Sequence, residues 1–149
     1  TQTFSKARSM AGMRIGCAIS NPKLIRYLND VKYSFNSYTL NKVALVCGEA
    51  AVKDQEYFEN TVKKITDTRE KTKKELADLG FSFTDSKANF IFASHPEYDA
   101  KEMFDAMKEQ GIYVRHWDSE RISQYLRITI GTEEEMQKLF EFLKKYMQK

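Results

Sequence analysis

Residues 3–25 read TFSKARSMAGMRIGCAISNPKLI and carry the most informative pattern of the chain. Lys6 stands next to the hydroxyl residues Thr3 and Ser5, and Arg14 follows eight residues later. An amine in this setting forms a Schiff base with an aldehyde, while hydroxyls and a guanidinium hold a phosphate group. From spacing alone a solvated lysine remains the better interpretation, because Ser-Lys is a common dipeptide.

Length and composition limit the class of protein. The chain has 149 residues, of which 42% are hydrophobic and 13% aromatic, so it can bury a core and is not a disordered segment. Its 24 basic and 21 acidic residues nearly cancel, which gives no argument for a nucleic-acid partner. No apolar run approaches the roughly 20 residues of a membrane span. Cys17 and Cys47 form no disulfide framework, so we expect a reducing compartment.

Apolar spacing predicts the secondary structure of the first half. Residues 14–20 read as a buried strand, and Asn21-Pro22 opens a short helix. Residues 33–38 read as a loop, and residues 39–79 as helix with a break near Lys53-Asp54. Gly80 ends the second of these helices. The inner face of the helix after Pro22 is predicted to hold Leu24, Ile25 and Leu28.

The second half reads as a small sheet with helices. Strands are predicted at 81–83, 88–92, 112–114 and 125–130, with a helix between Asp99 and Gly111. Thr132 and Glu135 form a capping box before the last helix. The predicted fold class is α/β, with an α+β small domain: an antiparallel-rich sheet with helices on one side, preceded by a long linking helix.

The segment around Lys6 closely resembles the lysine segment of the class I/II, fold type I, pyridoxal-phosphate-dependent aminotransferases. Their pattern is T-x-S-K-x-x-x-x-A-G-x-R-x-G, followed shortly by N-P. The resemblance implies that Lys6 is the catalytic lysine that binds pyridoxal 5'-phosphate, and that Thr3, Ser5 and Arg14 contact the cofactor phosphate. Cys17 departs from the pattern, since many members carry an aromatic residue there. The matching positions are Thr3, Ser5, Lys6, Ala11, Gly12, Arg14, Gly16, Asn21 and Pro22.

Arg127 lies in the middle of the predicted strand YLRITI. A charged residue there is costly to bury unpaired, so a solvent-facing arginine and a binding residue are equally good interpretations. The stretches GIYVRHW and YLRITIGTEEEM resemble the histidinol-phosphate aminotransferase subfamily. The resemblance implies that Arg127 binds the substrate phosphate and the glutamate carboxylate, with Arg115 as a co-ligand. Asn89, in the Lys87–Phe90 sequence KANF, resembles a substrate-pocket residue, although an ordinary strand start explains it equally well.

Other signals are weaker. Phe35-Asn36 resembles a family loop, but Ser34 stands where proline is usual. His95 and His116 lack metal-ligand spacing, so we expect no metal site and interpret both as surface or locally bonded residues. The chain contains no P-loop and no G-x-G-x-x-G, H-E-x-x-H or C-x-x-C sequence.

The resemblance implies a division and a reaction. Residues 1–38 would be a remnant of the large cofactor domain, 39–79 a linking helical region and 80–149 the small domain. The parent would be a cytoplasmic homodimer that transfers the amino group of glutamate to imidazole acetol phosphate. The chain starts without Met, which suggests that its start has been processed or that it is a piece of a larger enzyme. Such a piece would lack the upstream cofactor residues, so we expect it to be inactive and not to hold cofactor tightly. Alternatives are aromatic amino acids or an amino alcohol phosphate as substrate, or a non-enzymatic binding or oligomerisation module.

Overall fold

The computed structural model describes residues 1–148. It divides into two compact units, Thr1–Val62 and Lys63–Lys149. This single boundary differs from the three parts expected from the sequence (1–38, 39–79 and 80–149). The three-part division stays a prediction. Within residues 1–148, every helix falls short of the length and apolar character that a bilayer span requires.

The first unit begins with a short antiparallel ladder. Strand β1 (Gln2–Thr3) pairs with strand β2 (Gly16–Cys17), and one 3-10 turn (Ala11–Met13) lies in the connection. The buried strand predicted at 14–20 is therefore wrong in extent: only two residues pair, both are exposed, and Ile15 alone is buried. The apolar side chains of residues 14–20 favour burial. The partner strand β1 is only two residues long, however, so it covers little of this segment.

Two helices complete most of the first unit. Helix α1 (Pro22–Phe35) begins where Asn21 Oδ1 accepts the Leu24 N–H at 3.0 Å, and helix α2 (Lys42–Lys53) begins at Asn41 in the same way. The predicted start at Asn21-Pro22 is confirmed, since an asparagine cap and a first-turn proline both favour it. The loop predicted at 33–38 is wrong in its first half, because α1 continues through Phe35.

The predicted inner face of α1 is not buried. Leu24 and Leu28 are each about half exposed, at 51% and 52%, and Ile25 is only half-buried. Periodicity identified the apolar stripe correctly, but burial also requires a neighbouring element, and none covers this stripe within residues 1–148.

Helix α3 (Gln55–Asp78) follows α2 after a break at Asp54, as predicted. Gly80, in the left-handed region with φ of +83°, ends the helical segment, and its conformation explains why glycine stands there. The helices of the second unit are α4 (Ala100–Glu109), with Asp99 as its cap, and α5 (Glu133–Tyr146).

The sheet of the second unit has three antiparallel strands in the order β3-β4-β5. These are β3 (Ser82–Phe83), β4 (Phe90–Ser94) and β5 (Leu126–Thr129). The strand predicted at 112–114 is wrong. Its place is taken by a loop whose one ladder contact is the isolated bridge of Arg115 with Arg127, while Ile112 and Val114 pack partly buried against the core. The apolar residues Ile112 and Val114 therefore reflect packing against the core, not strand pairing.

One face of this sheet forms the core. Ile91 and Ala93 of β4 and Leu126 and Ile128 of β5 are at most 1% exposed. Residues alternate across a strand, so Phe90, Phe92 and Arg127 lie on the opposite face. The core is closed by apolar residues of α3, α4 and α5: Leu76, Met103, Met107, Met136, Leu139, Phe140 and Leu143.

A charged network ties the loop before β4 to α3. Lys73 Nζ lies 2.6 Å from Asp85 Oδ1 and 3.0 Å from Glu70 Oε1, and Lys87 Nζ lies 2.9 Å from Asp85 Oδ2. The hydrogen bond from Lys73, followed by that from Lys87, lowers the pKa of Asp85 from 3.8 to about 2. The carboxylate form of Asp85 is therefore favoured by the folded state.

The first prediction concerns the capping box of α5, which the structure confirms. The Glu135 N–H donates to Thr132 Oγ1 at 3.2 Å, and the Thr132 N–H donates to Glu135 Oε2 at 2.8 Å. Thr132→Ala should lower the free energy of unfolding by about 1 kcal/mol, measured by urea denaturation. Thr132→Ser keeps the hydroxyl and should lose much less; equal losses for both variants would contradict the role of the cap.

The second prediction concerns pH. Because the folded-state pKa of Asp85 is lowered, its contribution to stability is complete above about pH 4 and is lost as the pH falls through about 2. Asp85→Asn should therefore be less stable than the unsubstituted chain near neutral pH and equally stable near pH 2. Urea denaturation across this range is the measurement. Asp78→Asn, at an exposed carboxylate with no ion pair among residues 1–148, should show no such convergence.

Candidate functional site

Lys6 lies in the turn that joins β1 to the 3-10 segment. Its side chain is exposed, and among residues 1–148 its amine makes no hydrogen bond or ion pair. Its carbonyl accepts the Ser9 N–H at 2.9 Å, and the Met10 N–H donates to the Phe4 carbonyl at 3.0 Å, so the backbone around the lysine is fixed. The Lys6 amine is therefore free of hydrogen bonds and ion pairs within residues 1–148, and it is carried by an ordered turn.

The two hydroxyls beside Lys6 are held together. Thr3 Oγ1 donates to Ser5 Oγ at 3.0 Å, and the Ser5 N–H donates to Thr3 Oγ1 at 3.1 Å. This local turn fixes the Thr3 hydroxyl relative to the backbone at the start of the lysine turn. Both hydroxyls are accessible, since Thr3 is exposed and Ser5 half-buried.

Arg14 occupies a left-handed backbone conformation with φ of +56°. Its Nη1 donates to the Ala11 carbonyl at 3.0 Å, which closes the 3-10 turn, and the rest of the guanidinium is exposed. A non-glycine residue with positive φ is uncommon and marks a position that the surrounding turn enforces. The conformation therefore directs the chain at the entry to β2.

The donor set in this unit fits a phosphorylated aldehyde cofactor in its chemistry. It contains one free amine, two hydroxyls and one guanidinium with unused donors, all between Thr3 and Arg14. An amine is the group that such a cofactor modifies, and hydroxyls with a guanidinium are suitable phosphate donors.

Arg8 is a residue of this segment that the sequence did not single out. Its guanidinium carbon lies 4.3 Å from the centre of the Phe58 ring and 5.7 Å from that of Phe4, and its Nη1 donates to the Ala51 carbonyl. Arg8 thereby ties the lysine turn to α2 and α3 within the first unit. No motif in the sequence pairs residue 8 with residue 58, so only the fold could reveal it.

The second group of candidate residues surrounds Arg127 on β5. The Arg127 guanidinium carbon lies 5.1 Å from the centre of the Phe90 ring and 5.6 Å from that of Trp117. Its Nε is buried and has no hydrogen-bond partner among residues 1–148. A buried unpaired donor on a charged group is costly, and the nearby aromatic rings offset part of that cost.

Arg115 lies directly beside Arg127. The Arg115 N–H donates to the Arg127 carbonyl at 3.1 Å, and the Arg127 N–H donates to the Arg115 carbonyl at 2.8 Å. This bridge brings two guanidinium-bearing residues together on the backbone, and the side chain of Arg115 is exposed. The backbones of the two arginines are therefore adjacent, while the role of Arg115 as a co-ligand stays a prediction.

Asn89 precedes β4, next to Phe90. Its carbonyl accepts the Ile130 N–H at 2.9 Å, and its side chain is half-buried. Two side chains hold the segment before it: Ser86 Oγ donates to the Phe90 carbonyl at 2.6 Å, and Arg69 Nη1 donates to the Ala88 carbonyl at 3.2 Å. The segment is therefore anchored on both sides of Asn89.

The two histidines are locally bonded, and one has an acidic neighbour that the sequence did not indicate. His116 Nε2 lies 2.7 Å from the Ser123 carbonyl and its Nδ1 lies 3.5 Å from Asp118, while His95 Nε2 lies 3.0 Å from the Leu79 carbonyl. In the part of the chain that the structure describes, no group of three or more potential metal ligands occurs.

The structure thus places the candidates in two sets. Lys6, Thr3, Ser5 and Arg14 lie in the first unit, while Arg127, Arg115 and Asn89 lie in the second. Sequence reasoning missed Phe90 and Trp117 as neighbours of Arg127, because both contacts depend on strand register and loop closure.

Comparison with known proteins gives a consistent result. The sequence model of the family "Aminotransferase class I and II" matches residues 1–143. The chain is 52% identical over 148 residues to the histidinol-phosphate aminotransferase of Lactococcus lactis subsp. lactis, covering 99% of this chain and 41% of that protein. It is 51% identical over 143 residues to that of Brachyspira hyodysenteriae, covering 96% of this chain and 40% of that protein.

A solved structure agrees. The histidinol-phosphate aminotransferase of Sinorhizobium meliloti, solved in complex with pyridoxal-5'-phosphate, matches with a TM-score of 0.77 and 26% identity, covering 97% of this chain and 40% of that chain. The predicted fold class, an α/β fold of the fold type I aminotransferases with an antiparallel-rich sheet and helices, is confirmed. The chain spans about two fifths of the length of these relatives, and it belongs to the class I and II aminotransferase family.

Proposed function

We propose that this chain is the C-terminal part of a histidinol-phosphate aminotransferase. The full-length enzyme would transfer the amino group of glutamate to imidazole acetol phosphate, giving histidinol phosphate and 2-oxoglutarate. The observation that carries the proposal is the buried, unpaired Nε of Arg127 between two aromatic rings, next to Arg115. The identity of about 50% to relatives with this name supports it.

Lys6 would hold the cofactor through its amine and then act as the base of the proposed reaction. Its side chain is exposed and makes no hydrogen bond or ion pair within residues 1–148, so no partner has to be displaced before it reacts. Once released by the incoming substrate amine, the Lys6 amine acts as the general base that moves a proton on the substrate carbon. Pyridoxal phosphate, when bound, supplies the electron sink for this proton removal.

Thr3, Ser5 and Arg14 would hold the cofactor phosphate. The Thr3 and Ser5 hydroxyls are already oriented by their mutual hydrogen bond, and Arg14 keeps free donors beyond its bond to the Ala11 carbonyl. A phosphate accepts hydrogen bonds from hydroxyls and from a guanidinium, with the arginine bond being the stronger because it is charge-assisted.

Arg127 would bind the anionic end of each substrate in turn. Its guanidinium can form two parallel hydrogen bonds to a carboxylate or to a phosphate, so one side chain serves glutamate and histidinol phosphate. Arg115 adds positive charge beside it, which favours the doubly charged phosphate ester. Asn89, on the anchored segment before β4, would contribute a polar group to the same substrate.

A homodimer is part of the proposal. Nearly all exposed large apolar side chains of the described residues lie in the first unit; Tyr113 is the exception. Exposed apolar area of this extent is typical of a surface that further protein covers. In the full-length enzyme the upstream part of the chain and a second subunit would cover it. The two free cysteines, Cys17 and Cys47, fit a reducing, cytoplasmic compartment.

A prediction tests the role of Arg127 in the full-length holoenzyme. Arg127→Ala should raise the KM for histidinol phosphate by about 10- to 150-fold, since a hydrogen bond to a charged group contributes about 1.5–3 kcal/mol. Steady-state kinetics with histidinol phosphate and with phenylalanine are the measurement, and the unsubstituted enzyme should prefer histidinol phosphate.

The matched control for that experiment is Arg121→Ala. Arg121 is exposed and makes no hydrogen bond or ion pair among residues 1–148, so its removal should leave the KM unchanged. An unchanged KM in Arg127→Ala would refute the assigned role. A preference for phenylalanine in the unsubstituted enzyme would instead change the proposed substrate to an aromatic amino acid.

A further prediction concerns cofactor retention by the 149-residue chain alone. The four cofactor residues lie between Thr3 and Arg14, and all but the half-buried Ser5 are exposed, so we expect no stable binding of pyridoxal phosphate. Borohydride reduction after incubation, with mass spectrometry of the peptides, should label Lys6 no more than the exposed Lys23. The full-length protein should be labelled selectively at Lys6. Selective labelling of Lys6 in the short chain, lost in Lys6→Arg, would contradict the prediction.

A further inference from the structure

Trp117 is the one tryptophan of the chain, and it lies against the candidate anion-binding arginine. The Arg127 guanidinium carbon is 5.6 Å from the centre of the Trp117 ring and 5.1 Å from that of Phe90. Both distances are within the roughly 6 Å over which a cation is attracted to the face of an aromatic ring. Trp117 was not part of the site expected from the sequence.

Other aromatic rings hold Trp117 in place. The Trp117 ring meets Phe92 in a T-shaped contact with centres 6.3 Å apart, and Phe92 stacks on Tyr125 at 4.6 Å with an angle of 8° between the planes. Phe92 is also the residue directly opposite Arg127 in the ladder between β4 and β5. The sheet face that carries Arg127 therefore also supports the ring that covers it.

Hydrogen bonds close the loop that carries Trp117. His116 Nε2 lies 2.7 Å from the Ser123 carbonyl, so the residue before the tryptophan is tied to the far side of the loop. Gln124 Nε2 donates to Asp99 Oδ2 at 3.0 Å, which fixes the end of the loop to the start of α4. The position of Trp117 is thus determined by the fold of the second unit and needs no ligand.

We propose that Trp117 is a positioning residue that determines how oxyanions bind to Arg127. Its ring and that of Phe90 lie within cation–π distance of the guanidinium and limit the directions from which an anion can reach it, so the anion binds the guanidinium nitrogens that the rings leave accessible. This inference deepens the proposed function, because it rests on Arg127 as the anion-binding residue.

Two physical effects follow from this arrangement. The rings displace water from beside the guanidinium, which strengthens each hydrogen bond that it makes to a ligand. They also restrict the side-chain rotamers of Arg127, so less conformational entropy is lost when the ligand binds. Both effects act on the affinity for a carboxylate or a phosphate and leave the proton transfer at Lys6 untouched.

The test uses the full-length holoenzyme and the variants Trp117→Leu, Trp117→Phe and Arg127→Ala. Trp117→Leu should raise the KM for histidinol phosphate, and the inhibition constant of inorganic phosphate, by about 5- to 30-fold with kcat nearly unchanged. Trp117→Phe keeps an aromatic face and should give a smaller rise. The control is Tyr113→Leu, at a side chain that is 79% exposed, which should behave as the unsubstituted enzyme.

The double variant separates positioning from a general structural role. If Trp117 acts through Arg127, then Trp117→Leu should raise the KM no further in an Arg127→Ala background. A rise of equal size in both backgrounds, or no rise for Trp117→Leu in the unsubstituted background, overturns the inference. An Arg127→Ala enzyme with unchanged KM would instead contradict the proposed function itself.

Trp117→Phe keeps the test decisive if the leucine variant does not fold. A rise in KM of about 2- to 5-fold that disappears in the Arg127→Ala background supports the inference. No rise, or a rise that persists without Arg127, overturns it.

Discussion

The placement of a guanidinium on a strand whose other face forms the apolar core is the constraint on which the second unit depends. The neighbours of Arg127 on β5, Leu126 and Ile128, lie in the apolar core, so the strand cannot rotate to expose the arginine without exposing them. The charge is therefore held on the opposite face, between Phe90 and Trp117. Aromatic faces near the guanidinium offset part of the desolvation cost.

In the first unit the candidate residues are mostly exposed, whereas Arg127 in the second unit is partly buried. Lys6 and its hydroxyl neighbours lie on an ordered but exposed turn, and few side chains of this unit are buried, among them Ile15 and Ala44. Order here comes from backbone hydrogen bonds, local hydroxyl bonds and the contacts of Arg8, with little contribution from an apolar core. Such a unit can fix the direction of an exposed side chain; in the proposed full-length enzyme, further protein would supply the enclosure that excludes water.

Sequence patterns predicted best the elements that carry their own start and stop signals. The cap at Asn21, the break near Lys53-Asp54 and the capping box at Thr132 depend on contacts within one turn of helix, so local residues suffice to identify them. The strand at 112–114 failed because strand pairing depends on a partner distant in sequence. Apolar residues there pack as loop side chains instead.

The sequence by itself determined the family resemblance, the identities of the candidate lysine and arginines, and most helix boundaries, since each depends on residue type and short-range spacing. Tertiary structure decided what surrounds those residues. Only the ladder between β4 and β5 and the closed loop after Arg115 bring Phe90 and Trp117 to Arg127. Contacts between residues 37 and 10 positions apart in the chain are set by register and loop closure, and no local pattern encodes them.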